Sequence, residues 1–246
     1  MRGLHMSAEL LAPKYLVWMA HGLLMTAWIA LIAIACSTLA GFALALARDA
    51  QAGVWRGLAR IYTLVFRNTP LLIQLFFWYF AAPNLLPETA MLWLNTPHQL
   101  QLAGFTLSWP SFEFLAGAAG LSLYATAFVA EDIRSGIRGV PRGQYEAAAA
   151  SGLTRWQVQR YVILPQALRH VVSPLFGQYM NIVKNSSLTM GIGLAELSYT
   201  SRQVEAASFL TFQAFGVATL GYIGLIAVLD VLARQLQQRV ALPARN

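Results

Sequence analysis

The sequence predicts an all-α integral membrane protein with five transmembrane helices. Three observations lead there. The chain is 57% hydrophobic and only 11% charged, with a mean hydropathy of +0.54. From Leu16 to Ala47, 32 residues pass without Asp, Glu, Lys or Arg, and about 20 apolar residues already cross a bilayer as a helix. The cationic residues, finally, cluster in alternate connections between the apolar segments, as the positive-inside rule requires.

The first span is read at about Gly22 to Ala47. It is too long for the apolar core of a removable signal peptide. Its single thiol, Cys36, has no internal disulfide partner and reads as a small core residue. An amphipathic lead-in from Gly57 precedes the second span, about Thr69 to Ala82, which Pro70 interrupts. The third covers about Phe112 to Ile133. The fourth covers about Leu164 to Val183, interrupted by Pro174, and the fifth about Phe209 to Ala233.

Charge then sets the sides. Arg48, Arg56 and Arg60 lie between the first two spans. Arg134, Arg138, Arg142, Arg155, Arg160 and Arg169 lie between the third and fourth, and Arg234, Arg239 and Arg245 follow the fifth. The connection Pro83 to Pro110 has neither Lys nor Arg. The expected topology is therefore an outside N-terminus and an inside C-terminus. This distribution also accounts for the net charge of +7 without nucleic acid. The Ala81 to Pro110 loop, with Leu85, Leu86, Trp93, Phe105 and Trp109, is too apolar for a free linker and reads as an outer cap or interfacial segment. The stretch Gly191 to Leu210 is expected outside as a short helix, with Glu196, Arg202 and Glu205 solvated.

Catalytic patterns are missing. Neither lysine, Lys14 or Lys184, follows a GxxxxG, so the chain has no phosphate-binding loop of that type. His5, His21, His98 and His170 are scattered without ligand spacing, and no serine sits in a GxSxG elbow. No catalytic, cofactor or metal residue is assigned, and an enzyme is not expected.

One stretch stands apart, Arg142 to Pro165 on the expected inner side. Glu146 to Ser151 is Ala-rich and helix-forming. Gly152 reads as the glycine after a helix end. Arg155 to Ile163 reads as a second short helix, and Pro165 falls near the start of the next span, where proline is tolerated. Such an elbow is either an ordinary loop or a small, flat face for another protein's groove.

Polar groups at membrane depth are candidates for function because burying them is costly. Asn181, Lys184 and Asn185 have i, i+3, i+4 spacing, beside Ser186 and Ser187. They suit a translocation path; the alternative for Lys184 is snorkelling to the outer interface. Glu131 and Asp132 before Arg134 read as an inner-interface salt-bridge cluster or a gate. Tyr124, seven residues before Glu131, and Gln74, four after Pro70, either face the path or pack. Asp230 and Arg234 form an i, i+4 pair that anchors the last helix end.

The residues Glu146-Ala147-Ala148, Gly152 and Leu164-Pro165 resemble the EAA motif of ABC-importer permeases, with Val162 where that motif has Ile. A second stretch, Tyr62 to Gln74 continuing through Phe77-Trp78-Tyr79-Phe80 to Leu85-Leu86-Pro87, is similar to polar amino-acid permeases, most of all those of glutamate/aspartate importers. A third match is Met180 to Ser187 followed by Gly191-Ile192-Gly193-Leu194. The resemblance covers about residues 16 to 240.

It implies a single permease domain over 1–246 of the type I ABC-importer architecture. Glu146 to Gly152 would be its coupling helix, docked on a separate ATP-hydrolysing subunit that uses the ATP. A second permease (as a heterodimer), two ATP-binding subunits and an extracytoplasmic amino-acid-binding protein are the implied partners. The bacterial cytoplasmic membrane is the implied location. Relatives commonly have Glu where Leu64 stands, which leaves Arg67 to meet a lipid phosphate or another subunit's carboxylate. A passive channel or secondary transporter for small polar solutes is the alternative.

Overall fold

The structure, a computed structural model, describes residues 11–48, 53–96, 98–102, 105–108 and 110–240. His5, Trp109 and Arg245, named above, lie outside them.

The first apolar run forms one long helix, α1 (Pro13–Arg48), starting nine residues before the predicted span. Helix α2 (Gly53–Asn68) follows and ends two residues before Pro70, which caps the next helix. Its apolar stripe Val54, Leu58, Ile61 and Val65 is exposed, while Ala59 and Thr63 pack inward. A water-soluble protein would place these faces the other way round. Helix α3 (Leu71–Phe76) runs on into a π turn, Phe77–Ala81, and a 3-10 turn, Ala82–Leu85.

The predicted cap holds a short helix, α4 (Glu88–Asn95), and an antiparallel hairpin of β1 (Gln99–Leu102) and β2 (Phe105–Ser108). Gln99 pairs with Ser108 and Leu102 with Phe105. These strands are an addition to an otherwise all-α fold. Then come α5 (Phe112–Arg138), α6 (Arg142–Ala150), α7 (Arg155–Gln157), α8 (Leu164–Asn185), α9 (Leu197–Ser208) and α10 (Thr211–Val240).

Among the described residues, three helices are long and apolar enough to cross a membrane: α1, α5 and Thr211–Arg239 of α10. The predicted second span is shorter, an apolar helical stretch over Leu71–Leu85. The fourth, α8, has 22 residues but carries Arg169, His170 and Pro174. Five crossings thus remain a proposal.

Helix α5 is the centre. Of its most apolar window 56% is buried, against 33% for α1 and 6% for α10. Ile29, Ala33, Leu75, Phe114, Leu121 and Ile182 form the main core where α1, α3, α5 and α8 meet. Small residues set the approach. A Cβ on Gly136 of α5 would collide with Val171 of α8, so close helix contact there needs glycine.

Two expectations are overturned. Cys36, read as a small core residue, is exposed on the outward side of α1. Glu196 is not solvated: it is 0% exposed, whereas Arg202 is exposed as expected. The next section gives the reason.

Candidate functional site

The opening elbow has a locally encoded shape. At the end of α6, Leu153 N–H donates to Ala148 O at 3.3 Å and Gly152 N–H donates to Ala149 O at 3.0 Å. That pair of bonds is a Schellman motif, and it needs the left-handed backbone that Gly152 adopts at φ +78°. Thr154 then starts the next helix with a capping box. Its Oγ1 accepts from Gln157 N, and the Gln157 side chain accepts from Thr154 N at 2.8 Å.

Two helix ends are thereby closed within a few residues, leaving a stiff turn. Leu164 opens α8 after a π turn over Val158–Ile163. Pro165 lacks an N–H, and the wider turn before it absorbs the missing bond.

The elbow has a small core of its own, which its alanine-rich sequence did not suggest. Ala148 packs with Val140, Val158, Ile163 and Ala167. Gln166 Nε2 donates to Gln144 Oε1 at 3.1 Å, tying α6 to α8. Its outer face is bare: Glu146, Ala147, Gly152 and Pro165 are exposed. Leu164 and Trp156, the latter 73% exposed, line a cavity beside α1. That small core joins α6 to Ile163 and Ala167 at the head of α8.

The proposed pathway residues fall into separate groups. On α8, Asn181 and Lys184 are exposed on a face shared with Ser173 and Gly177. Among the described residues, no large apolar side chain between Leu168 and Met190 is exposed. Asn185 is half-buried at the edge. Ser186 is fully buried and donates to Val183 O at 2.8 Å, so it faces away from Lys184.

Gln74 is buried, and its Nε2 donates to Phe66 O and Thr69 O, each at 3.0 Å. It staples α3 to α2 across the Pro70 break. Tyr124 is half-buried against Phe128, ring centres 4.8 Å apart.

Glu131 forms the ion-pair cluster. It meets Arg48 at 3.4 Å and Arg134 at 3.6 Å. Arg48, Arg60, Arg67 and Glu131 line a cleft of about 560 Å³ beside α2. Neither sequence-level alternative for Arg67 is needed to place it. The guanidinium lies 5.2 Å from the centre of the Phe128 ring and within electrostatic reach of Asp132. Gln178 of α8 lies within reach of the same carboxylate. The Asp230–Arg234 pair forms at 2.7 Å as expected.

Glu196 is the residue that sequence reasoning misplaced. It caps α9: its two carboxylate oxygens accept from Ser198 N and Tyr199 N, each at 2.9 Å. Tyr222 of α10 donates its hydroxyl at 2.6 Å, and Thr26 of α1 at 3.4 Å. Thr26 in turn accepts from Leu197 N at 3.1 Å.

Burial pushes the Glu196 carboxyl above its ordinary value, while these hydrogen bonds pull it back. Gly22 lets α9 close on α1, since a Cβ there would strike Thr200 Oγ1. One carboxylate thus joins three helices. Its only sequence signal was an acidic residue at a helix start.

The family of binding-protein-dependent transport system inner membrane components matches residues 37–242. The glutamate/aspartate import permease GltJ of Escherichia coli K12 is 33% identical over 230 residues, covering 93% of this chain and 89% of its own. The probable glutamine permease GlnM of Bacillus subtilis is 32% identical over 235 residues, covering 96% and 98%.

Among solved structures, an amino acid ABC transporter crystallised with histidines superposes with TM-score 0.75 at 28% identity, covering 92% of this chain and 95% of that one. The inward-facing MetNI methionine ABC transporter shares the fold at TM-score 0.73 and 17% identity, covering 94% and 100%. With the match spanning the helices, the elbow and the α8 face alike, the chain belongs to the binding-protein-dependent transport system inner membrane components, as a multi-pass, non-catalytic permease of an ABC importer.

Proposed function

We propose that this permease carries polar amino acids, glutamate and aspartate first among them, into the cell. The substrate assignment rests on the likeness to GltJ, with the glutamine permeases GlnM and GlnP, the latter 29% identical, as the neighbouring reading. Lys184 does not enter that assignment. The chain crosses the membrane five times with its N-terminus outside. It pairs with a different permease, and an external binding protein delivers the solute.

The exposed Ser173, Gly177, Asn181 and Lys184 face of α8 lines the path at the interface between the two permeases. Gln74, Tyr124, Glu131, Asn185 and Ser186 support that path from behind. Two ATP-hydrolysing subunits sit against the elbow. ATP binding closes them, and their movement carries Glu146 to Gly152 as a lever that reorients α8 through Leu164 and Pro165. The path is a two-state element whose balance a partner's ligand sets.

The single observation that carries this mechanism is the stiff elbow with a bare outer face. The Schellman turn at Gly152 and the capping box at Thr154 hold its shape without help from any other chain.

Gly152→Val tests it. A Cβ at Gly152 meets nothing within 4 Å, so the branch point itself adds no clash. It strains the left-handed backbone by about 1–2 kcal/mol. Expected are normal membrane insertion and loss of ATP-coupled uptake. Wild-type uptake by this variant removes the coupling role. Labelled glutamate, aspartate and glutamine, assayed with the reconstituted complex and its binding protein, decide the substrate.

A further inference from the structure

A second cavity, of about 950 Å³, opens where α1, the end of α5 and the elbow meet. Its two sides differ in chemistry. The floor carries Phe42 and Leu46 of α1, which are 48% and 55% exposed. The rim carries Arg138, Arg142 and Arg160, and Trp156 stands as a wall. Among the described residues, no Asp or Glu lines it. A purely apolar ligand would leave the exposed Arg142 and Arg160 guanidiniums at the rim unmatched, and a small free anion would leave the floor empty.

The floor is continuous with the outward apolar side of α1, where Leu31 and Leu39 are also exposed. That continuity points to a ligand arriving from the bilayer. Basic pockets between membrane helices on the cytoplasmic side suit anionic lipid headgroups, and guanidinium forks match phosphate in two-point contacts.

We propose that this cavity is a binding site for an anionic phospholipid. Its phosphate lies between Arg142 and Arg160, and an acyl chain lies along Phe42 and Leu46. The proposal rests on the inward orientation of the elbow given above. Bound there, the lipid bridges the lipid-facing helix α1 to the coupling elbow without touching the α8 face. It would hold the elbow in register with the membrane while the outer face engages its partner. Anionic lipid thereby becomes a requirement for full coupling rather than a bulk solvent.

The test uses the assembled transporter, purified through a tag on this chain into nanodiscs of phosphatidylcholine with or without phosphatidylglycerol. Retained phosphatidylglycerol is counted by native mass spectrometry. Each arginine near an anionic surface is worth about a fivefold change in occupancy. Arg142→Ala combined with Arg160→Ala should therefore lower retention more than about tenfold. Leu46→Trp, which fills the floor and keeps the charge, should lower it as well. Arg239→Ala, exposed near the end of α10, should not.

Unchanged retention in both cavity variants overturns the proposal. An equal loss in Arg239→Ala overturns it too, in favour of diffuse surface charge. Full displacement by inorganic phosphate with Leu46→Trp harmless shows a free-anion site instead. Gly143→Cys labelled only from outside the cell sinks the elbow's orientation and this proposal together. Labelling from inside with unchanged lipid retention sinks this proposal alone.

Discussion

Helices α8 and α10 both leave a long face uncovered, and the two faces have opposite chemistry. Helix α10 shows Phe212, Leu220, Ile223, Val228 and Val231. Helix α8 shows Ser173, Gly177, Asn181 and Lys184. Acyl chains accept the first set and penalise the second. The difference teaches which surface meets lipid and which meets a path or a partner subunit, a distinction that exposure alone does not make. It also explains why α10 can be long and almost unburied. Besides its contacts with α8 and α9, it is held by the Tyr222 hydroxyl on Glu196.

The largest expected effect attacks the lipid reading of α10. Val228→Lys puts a charge on that face near the middle of the helix, at an insertion cost of about 3 kcal/mol. The yield of membrane-integrated protein should collapse. The same charge already sits at Lys184 on α8. Normal integration of the α10 variant would erase the contrast.

Next in size is Tyr222→Phe. It removes a hydrogen bond to a buried carboxylate, worth about 1.5–3 kcal/mol. The thermal midpoint in detergent should fall, while Glu196 keeps its two backbone donors. An unchanged midpoint would show that packing alone holds α10. The smallest effect is expected at Lys184→Ala. Its side chain is exposed, so stability should hardly move, and uptake efficiency should drop about fivefold, the loss of roughly one hydrogen bond. Uptake kinetics equal to wild type would return Lys184 to snorkelling.

How much of this was legible in the sequence follows from what each signal depends on. The elbow was, because its signals are local: an Ala-rich helix, Gly152 and Pro165. The first, third and fifth spans were, because hydropathy and length decide them. The hairpin was missed although Gln99 to Leu102 and Phe105 to Ser108 alternate polar and apolar with period two. The surrounding prolines and aromatics masked that pattern.

Glu196 was misplaced because its partners, Thr26 and Tyr222, lie 170 and 26 residues away. Nothing local says that a carboxylate in a polar stretch will be enclosed. Gln74 was read as path or packing, and its bonds to Phe66 and Thr69 show a staple across a proline break. Ser186 was grouped with Lys184 as a polar neighbour in sequence. Two residues on, helical rotation of about 200° turns it to the buried side, where it donates to Val183 O.

The central claim is that the polar face of α8 lines a water-filled path whose access the elbow controls. Its most direct test is the reactivity of Asn181→Cys, in a Cys36→Ala background, toward a membrane-impermeant thiol reagent. The assembled transporter is compared with and without a non-hydrolysable ATP analogue, beside Leu220→Cys on α10. The account predicts that Asn181→Cys reacts at a rate the analogue changes, while Leu220→Cys stays inert, because thiolate chemistry needs water. Equal inertness at both positions, or a rate at Asn181→Cys that ignores the nucleotide, would contradict it.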